Sequence, residues 1–339
     1  MLDVITIGSS TIDFFFETDF QFTPWKTPLG KAMAIPFGEK FSAKSSFIAA
    51  GGNAINTAVT FSRQGLKTAA AVKVGLDIPG EMIEERLRNE KIKNKFVVWD
   101  NDEPTSHSVI LIQNGERSII TYQGSGAHLK SSDLNFRKMK AKWWYVSLSG
   151  DSYKLFPSIA KASWEMGIKL ALNPTVRHLR AGRKQLIANL KYVDFVVMNE
   201  GEAAELAGIP FSDEAEILRK VDKIVPGLVA ITRGSKGSVV SDGEHILRAG
   251  IFKEKTTVDR TGAGDAFGSG FVAGLIRSGE RCGRFGCDPN KLQYALRLAT
   301  ANAASVVERV GASESALYKE DFDKSPKYKK LKIAVNKVK

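Results

Sequence analysis

One ten-residue stretch organises this chain: Val258-Asp259-Arg260-Thr261-Gly262-Ala263-Gly264-Asp265-Ala266-Phe267. A β-branched, strand-like segment precedes it, and an apolar pattern with helical spacing follows it as far as Leu275. The stretch therefore predicts the start of a helix. Because Gly262 and Gly264 flank a small alanine, no side chain covers the first-turn N–H groups at the positive end of the helix dipole. Such bare amides are suited to binding an anion.

Asp265 suggests what this anion site does. A carboxylate beside a bound phosphate repels it, unless the carboxylate accepts a proton from the group that attacks the phosphate. We therefore interpret the stretch as a phosphoryl-transfer site, with Asp265 as the base and the amides of Gly262, Ala263, Gly264 and Asp265 as the anion hole. Aspartate is also a favoured N-cap residue, and capping alone would explain an isolated G-A-G-D.

Two motifs resemble the signatures of one enzyme family. The run D-R-T-G-A-G-D-A-F at 259–267 resembles the C-terminal signature of the ribokinase (PfkB-type) carbohydrate kinases, and G-G-N-A-I-N-T-A at 51–58 resembles their N-terminal signature. The two occur in the family's order and separation, and the resemblance extends from Val4 to about Ala316. It implies an enzyme that uses ATP and Mg²⁺ to phosphorylate an alcohol group of a carbohydrate.

The resemblance also implies which residues bind the sugar. In the family, an aspartate after the first strand, the second signature glycine and an asparagine one helical turn later bind sugar hydroxyls. Asp13, Gly52 and Asn56 match these positions, and Asn53 occupies a signature position that varies among relatives. A carboxylate that accepts two hydroxyl hydrogen bonds is a good sugar anchor. Without the resemblance, these residues would be interpreted as turns and a helix cap.

Two further matches concern metal ions. Asn199 and Glu202 match the family's N-x-x-E motif, which helps to place the metal and the phosphates, chiefly through water. The same pair also fits a helix capping box, and the two roles are compatible. In many relatives a monovalent cation such as K⁺ binds near the loop matched here by Asp259, Thr261 and Gly311, and the resemblance leaves open whether this chain binds one.

A glycine-containing loop matches the family's nucleotide site. Thr232, Gly234 and Gly237 occupy the positions of the T-x-G-x-x-G motif, whose residues run alongside the nucleotide phosphates. Farther along, a helix is predicted from Asn290 to Arg309. The resemblance implies that Asn302 on this helix is a neighbour of the adenine.

Strand-like and helix-like segments alternate along most of the chain. From Thr68 to Ile231 they predict an α/β fold with a mostly parallel central sheet and helices on both faces. A helix is also predicted from Ser132 to Lys140. Since ligands bind at the carboxyl ends of the strands in such sheets, we expect the polar loops to form one site there.

A small β-sheet lid is expected beside this domain. Residues 14–50 are rich in aromatic residues and interrupted by prolines and glycines, and Asn114-Gly115 between two β-rich runs predicts a hairpin within about 105–124. These segments resemble the family's lid, which closes over the sugar. We therefore expect a kinase domain at 1–320 that includes the lid, and a basic C-terminal tail at 321–339. An exposed apolar lid face is suited to pairing with a second copy in a homodimer.

Composition limits the remaining possibilities. The chain has 339 residues, of which 43% are apolar and 25% charged, as in soluble globular proteins. No apolar run is long enough to span a bilayer, and the N-terminus resembles a first strand rather than a signal peptide. We therefore predict a cytoplasmic protein without a membrane partner, in which Cys282 and Cys287 are reduced.

Much of the positive charge lies at the C-terminus. The net charge is +12, and the last 16 residues contain seven lysines and no acid. This pattern favours a frayed, solvated terminus, and no specific nucleic-acid partner is expected.

The sequence leaves the acceptor substrate open. No P-loop, protein-kinase or dinucleotide motif is present. A kinase for a small monosaccharide, of the ribokinase or fructokinase type, is the favoured interpretation. An adenosine or other nucleoside kinase is the alternative, because phenylalanines such as Phe14, Phe15 and Phe22 are suited to lining a base slot. A non-catalytic sugar-binding regulator is disfavoured, because both the base and the anion hole are intact.

Overall fold

The computed structural model describes residues 1–20, 22–26, 30–35, 37–113, 116–210, 213–252, 261–279 and 287–338. The strands are β1 Leu2–Gly8, β2 Thr11–Glu17, β3 Phe22–Pro24, β4 Lys31–Met33, β5 Ser45–Gly51, β6 Thr68–Ala71, β7 Lys73–Gly75, β8 Val98–Asp100, β9 His107–Gln113, β10 Glu116–Tyr122, β11 Ala141–Ser147, β12 Lys169–Leu172, β13 Phe195–Asn199, β14 Leu228–Thr232, β15 Ser238–Ser241, β16 His245–Ala249 and β17 Ile333–Lys337.

The helices lie mostly between the strands of the central sheet. They are α1 Asn53–Arg63, α2 Ile78–Asn89, α3 Phe156–Glu165, α4 Val176–Arg180, α5 Arg183–Asn189, α6 Glu200–Ala207, α7 Glu214–Ile224, α8 Ala263–Arg277, α9 Pro289–Val306, α10 Lys319–Lys324 and α11 Pro326–Lys329. Within the described ranges, none of these helices is both long and apolar enough to cross a membrane.

The central sheet has nine strands in the order β17-β16-β15-β14-β13-β12-β11-β1-β6. The strands from β14 to β6 are parallel to one another, whereas β15, β16 and β17 are added antiparallel at one edge. This arrangement confirms the predicted mostly parallel sheet. The carboxyl ends of β12, β13 and β14 therefore lie side by side at one edge.

Alternate residues of the strands pack against helices on the two faces of the sheet. On β13, Val196 and Met198 belong to one buried apolar cluster, and Phe195 and Val197 belong to the other. Phe195 stacks on Phe271 of α8, with ring centroids 4.8 Å apart. Strands that are buried on both faces explain the nearly continuous apolar runs in the sequence.

A second sheet of four strands, in the order β10-β9-β2-β5, covers one end of the domain. Its hairpin, β9 with β10, pairs antiparallel as predicted, although Asn114 and Gly115 of the turn lie outside the described residues. In the register of this sheet, Asp13 pairs with Ala49 on one side and with Ser108 on the other. The sheet thus carries Asp13 directly into the region where the sugar site is expected.

The C-terminal segment differs from its prediction. Residues 321–339 are expected to form a frayed tail, but β17 pairs with β16, with Ile333 opposite Ala249. Phe322 and Leu331 are buried in the core. An unpaired strand edge accepts a further strand readily, and the exposed lysines of this segment point to solvent, where they protect the new edge. The prediction of a frayed C-terminal tail, which is based on charge alone, is therefore wrong.

Two smaller predictions are also wrong. The predicted helix from Ser132 to Lys140 is replaced by two 3-10 turns, at Ser131–Asp133 and Phe136–Lys138. Cys287 is disulfide-bonded rather than reduced, and Cys282 lies outside the described residues.

Arg63, the last residue of α1, ties that helix to the loop after α9. Its guanidinium contacts Glu90 at 2.6 Å, and both side chains are about nine-tenths buried. Arg63 Nη1 also donates to the carbonyl oxygens of Ser313 (3.3 Å), Glu314 (3.0 Å) and Ala316 (3.0 Å). The arginine therefore fixes this loop by satisfying three of its backbone acceptors.

We expect Arg63→Met to lower the free energy of unfolding by about 3–5 kcal/mol, because it removes the closer of the two arginines that pair with the buried Glu90 carboxylate and leaves only Arg86, at 3.5 Å. Urea denaturation followed by circular dichroism measures this change. Arg180→Met is the matched control, because the Arg180–Glu205 pair is largely exposed and should contribute less than about 1 kcal/mol. Equal losses in the two variants would contradict the prediction.

Candidate active site

Helix α8 begins with an uncovered anion site. Gly262 is its N-cap, in the left-handed conformation with φ 77°. A Cβ at this position would lie 2.2 Å from the Ala312 carbonyl oxygen, so both the backbone conformation and the available space require glycine. The first bond of the helix runs from the Ala266 N–H to the Gly262 carbonyl. The N–H groups of the three residues between them therefore have no acceptor within the helix.

Packing does not require glycine at position 264. A Cβ at position 264 would meet no atom within 4 Å, and the residue is exposed. Gly262, Ala263 and Gly264 all border the cavities described below. A side chain at 264 would fit the fold and occupy the space in front of the amides.

Asp265 is buried directly behind these amides. Its Oδ2 accepts a hydrogen bond of 2.9 Å from Asn56 Nδ2 of α1. The pKa of Asp265 is raised to about 7: burial is the largest cause, the hydrogen bond from Asn56 opposes it, and the nearby Glu202 carboxylate adds to it. A carboxyl group with a pKa near neutrality can both accept and release a proton under physiological conditions.

Asn56 offers an unused acceptor beside this carboxylate. Its Oδ1 is buried and has no hydrogen-bond partner within the described part of the chain. A buried acceptor without a partner costs about 1–3 kcal/mol, and a hydroxyl group of a bound molecule would remove that cost. The pair Asn56–Asp265 is therefore suited to binding an alcohol.

Asp13 approaches the same region from the four-stranded sheet. Its side chain is buried, and a Cβ at Gly51 would lie 2.5 Å from Asp13 Oδ2. The next residue, Gly52, has φ 90° and passes so close to Ser9 and Ser10 that a Cβ would clash with their backbone. The two glycines thus bring the start of α1 against β2 and the end of β1.

Asn53 is held in place by two serines. Its N–H donates to Ser9 Oγ at 3.1 Å, and its Nδ2 donates to Ser147 Oγ at 2.6 Å. Ser147 ends β11, the strand next to β1. These bonds direct Asn53 toward the carboxyl ends of the parallel strands.

A small cavity of about 220 Å³ joins these residues to the strand ends. It is lined by Asn53, Asn173, Val197, Met198, Asn199, Glu202, Thr232, Gly262, Gly264 and Asp265. The catalytic candidate Asp265, the anion hole and the N-x-x-E motif thus border one space. Its mixture of amides, carboxylates and bare N–H groups is suited to a phosphoryl group with its metal.

A larger cavity of about 860 Å³ adjoins the small one and shares Asn199, Thr232 and Gly264 with it. One wall contains Gly250, Ile251 and Phe252, and a second wall contains Thr300, Ala303, Ala304 and Val307, at the end of α9. The walls are largely apolar and the shared end is polar, as a nucleotide site requires for a base and its phosphates.

The predicted capping box is present at the start of α6. Asn199 Oδ1 accepts from the Glu202 N–H at 2.9 Å, and Glu202 Oε2 accepts from the Asn199 N–H at 2.8 Å. Burial raises the pKa of Glu202, and the bond from the Asn199 N–H opposes that shift. Both side chains also border the small cavity, so the capping box is compatible with the predicted role at the phosphates, which stays a prediction.

The T-x-G-x-x-G loop lies along the larger cavity. Thr232, Gly234 and Gly237 all line it. Both glycines have positive φ, 54° and 86°. The loop therefore presents backbone to the cavity, as the sequence predicts.

Asn302 is not a neighbour of the larger cavity, so this prediction is wrong. Its Nδ2 donates to Thr60 Oγ1 (3.1 Å) and the Ala266 carbonyl (2.9 Å), and its Oδ1 accepts from the Leu317 N–H (2.9 Å). The cavity is lined instead by the face of α9 that carries Thr300, Ala303 and Ala304. Helical spacing places residue 302 on the other side of the helix.

The proposed metal residues are only partly described. Asp259 lies outside the described residues, and Thr261 is half-buried just before the anion hole. Among the residues that the structure describes, no group of three or more His, Cys, Asp or Glu side chains is arranged to hold a metal ion.

Two sets of residues were not predicted from the sequence. Asn173 follows β12, donates to the Val197 carbonyl at 2.9 Å and borders the small cavity. A polar residue at the end of a parallel strand was the available signal for it. Ile251 and Phe252 carry no such signal, because apolar residues after a strand usually indicate core packing.

Comparison with known families identifies the enzyme class. The sequence matches the family described as pfkB family carbohydrate kinase over residues 1–319. The chain belongs to the pfkB family. This pfkB protein is thus a carbohydrate kinase, which transfers a phosphoryl group to an alcohol.

Several relatives of this pfkB chain are known. Ribokinase of Haemophilus influenzae is 27% identical over 289 residues, which are 82% of this chain and 87% of that protein. The structure of Arabidopsis thaliana ribokinase complexed with ribose and ATP has a TM-score of 0.74 and 25% identity, and the match covers 95% of this chain and 98% of that one. The nucleoside kinase of Methanocaldococcus jannaschii has a TM-score of 0.76 at 20% identity over 97% and 99% of the chains, and shares the fold.

We expect two glycine variants at the anion hole to fail in different ways. Gly264→Val should keep the melting temperature within a few degrees of wild type and lose nucleotide binding, because its side chain fills the front of the amides. Gly262→Ala should instead lower the melting temperature, because its Cβ has no room beside Ala312. Thermal unfolding and ADP titration of both variants distinguish the two effects, and a Gly264→Val protein that binds ADP like wild type would contradict the first.

We also expect Asp265→Asn to stabilise the protein more at pH 8 than at pH 5. The native carboxyl group has a pKa of about 7 against a usual value of 3.8, so the native state holds its proton more tightly than the unfolded state. Wild-type stability therefore falls as the pH rises from 4 to above 7, by at most about 4 kcal/mol at about 1.4 kcal/mol per pKa unit. The asparagine does not titrate. Denaturant unfolding at both pH values measures the free energy of unfolding of the variant and of the wild type. If the difference between the two proteins does not change with pH, the prediction is contradicted.

Proposed function

We propose that this pfkB chain is an ATP-dependent sugar kinase that transfers the γ-phosphoryl group to a hydroxymethyl group of a small monosaccharide, of the ribokinase or fructokinase type. The larger cavity holds the nucleotide, and the small cavity holds the phosphoryl group in transit. Ribose and ATP are the ligands of the related A. thaliana ribokinase, which supports this assignment.

One observation carries the proposal: Asn56 and Asp265 form a buried pair beside the bare amides at the start of α8. Asn56 occupies one oxygen of Asp265 and keeps a buried acceptor of its own without a partner. A hydroxyl group of the substrate donates a hydrogen bond to Asn56 Oδ1 or to the second carboxylate oxygen of Asp265. Asn53 lines the small cavity together with Asp265, and we assign the remaining sugar hydroxyls to Asn53, Asp13 and Gly52.

The reaction then follows from these positions. Asp265 accepts the proton of the sugar hydroxyl as its oxygen forms a bond to the γ-phosphorus, and the bond from that phosphorus to the bridging oxygen breaks to release ADP. The N–H groups of Ala263, Gly264 and Asp265 bind the phosphoryl oxygens. They stabilise the negative charge that these oxygens carry in the transition state. Positioning and electrostatic stabilisation provide most of the rate enhancement, because the phosphoryl group needs little covalent assistance.

Magnesium fits the small cavity as a partner of the nucleotide. Glu202 and Asn199 border that cavity, and their mutual bonds engage Asn199 Oδ1 and Glu202 Oε2, so Glu202 Oε1 is the oxygen left for a water ligand of the ion. When bound, Mg²⁺ neutralises charge on the nucleotide phosphates. Thr232, Gly234 and Gly237 align the remainder of the triphosphate.

A nucleoside is the second candidate substrate, and the four-stranded sheet supports it. On the face that carries Asp13, the next residues in register are Phe15, Phe47 and Ile110. Phe47 is 41% exposed, although it contacts Phe15, so an apolar surface adjoins the hydroxyl-binding carboxylate. Such a surface is suited to a nucleobase attached to the sugar.

Three further features stay predictions. They are the cytoplasmic location, a homodimer formed through the exposed apolar residues of the four-stranded sheet, and K⁺ binding near Asp259 and Thr261. Thermal unfolding and turnover in K⁺ and in choline salts test the last of these.

We expect Asp265→Asn to keep the fold and ATP binding and to lose on the order of 10² to 10⁴ in turnover, the usual effect of losing a general base. Release of ADP, followed with a coupled assay at saturating substrate, measures this loss. Asp222→Asn is the matched control, because that carboxyl group also has a pKa raised by burial, is bonded to Ser241 and borders neither cavity. Turnover of Asp265→Asn within threefold of wild type would reject the base.

A substrate screen separates the two candidate acceptors. Ribose, fructose, 2-keto-3-deoxygluconate, adenosine and other nucleosides are each offered with ATP. If a nucleoside is the substrate, Phe47→Ala should raise its KM, whereas the KM of a monosaccharide should not change. Asp13→Ala should raise KM for either class, since both present sugar hydroxyls.

A further inference from the structure

The C-terminal segment lies beyond the residues that match the family and contributes to the core. The family match ends at residue 319, and α10, α11 and β17 together occupy the range from Lys319 to Lys337. Two aromatic residues of this segment, Phe322 and Tyr328, join Phe252 and Tyr294 in a group that we call the C-terminal aromatic cluster. Phe322 and Tyr328 stack with centroids 5.7 Å apart and an interplanar angle of 15°.

The cluster connects the two walls of the larger cavity. On one side, Phe252 lines the cavity, and its ring meets the Tyr328 ring edge-on at 5.2 Å. On the other side, Phe322 meets Tyr294 of α9 edge-on at 5.7 Å. Helix α9 also provides the lining residues Thr300, Ala303 and Ala304. A continuous series of ring contacts therefore runs from the lining residue Phe252 to the helix that carries the second wall.

Backbone pairing supports the same wall. β17 pairs with β16, and Ile333 lies opposite Ala249, the residue that precedes the wall residues Gly250, Ile251 and Phe252. The Leu331 side chain is buried, and its carbonyl oxygen accepts from Arg297 Nε of α9 at 3.3 Å. The C-terminal segment thus contacts both the strand that leads into one wall and the helix that forms the other.

We propose that Tyr328 is a positioning residue for the nucleotide. It acts through Phe252 and sets the distance between the walls that receive the base. The inference rests on the proposed assignment of the larger cavity to ATP. Aromatic pairs prefer edge-on and offset-stacked geometries, and Tyr328 makes one contact of each kind, so the loss of its ring releases Phe252.

The predicted effect is specific for the nucleotide. Tyr328→Ala should raise KM for ATP and Kd for ADP about tenfold, while kcat and KM for the acceptor stay within about twofold of wild type. Tyr328→Phe should restore wild-type values, because it keeps both ring contacts. Tyr192→Ala is the matched control: Tyr192 is a half-buried tyrosine that pairs with Trp164 at 5.9 Å and borders neither cavity.

Steady-state kinetics, ADP calorimetry and melting temperatures of the wild type and these variants test the inference. An unchanged KM for ATP in Tyr328→Ala overturns it. So does an equal rise of KM for both substrates together with a lower melting temperature, which is the result of a merely structural role. A wild-type protein that binds no adenine nucleotide overturns the proposed function as well, whereas normal ADP binding by both wild type and Tyr328→Ala overturns this inference alone.

If Tyr328→Ala does not fold, a double-mutant cycle of Phe252→Leu and Tyr328→Leu replaces it. Because both residues act on the same wall, the combined variant should raise KM for ATP no more than the larger single effect. Additive effects of the two substitutions would contradict action through Phe252.

Discussion

The hydrogen bond between Asn56 and Asp265 is the contact on which the site depends. It joins the starts of α1 and α8, which are 209 residues apart in sequence, at a distance of 2.9 Å. Burial of a carboxylate is unfavourable, and one N–H donor offsets only part of that cost, so the pKa of Asp265 rises to about 7. The same burial that weakens the fold at this point gives the carboxyl group a pKa near neutrality, as the proposed role of general base requires. In the proposed mechanism, stability and catalysis are therefore in opposition at this residue.

The parallel sheet brings the other polar groups to this pair. Asn173, Asn199 and Thr232 follow or end the neighbouring strands β12, β13 and β14, so the strand order alone places them side by side. The start of helix α8 lines the same small cavity through Gly262, Gly264 and Asp265. It approaches only because Gly262 has no Cβ to strike Ala312, and that loop is itself held by Arg63. Contacts therefore connect three elements into one unit: helix α1, the start of α8 and the loop after α9.

Errors in the sequence-based interpretation arise where a residue's surroundings, rather than its local pattern, decide its role. The lysine-rich terminus has no sequence pattern that predicts a core element. It is nevertheless ordered, because β17 pairs with the open edge of β16 and because Phe322 and Leu331 are buried. Asn302 belongs to a helix that borders the cavity, although its own side chain faces Thr60 and Leu317. Ser132–Lys140 has helical composition, and the structure forms two separate 3-10 turns there.

The sequence by itself determined the class of fold, the start of α8 and the identity of the residues around Asp265, because these depend on local spacing, glycine geometry and family motifs. The tertiary structure decided which of those residues meet: the pairing of Asn56 with Asp265, the orphan acceptor on Asn56, the place of Asn173 and the course of the C-terminal segment. The physical reason is that hydrogen-bond partners, burial and strand-edge pairing are relations between distant segments. Side chains of identical local pattern acquire different pKa values and roles according to what packs against them.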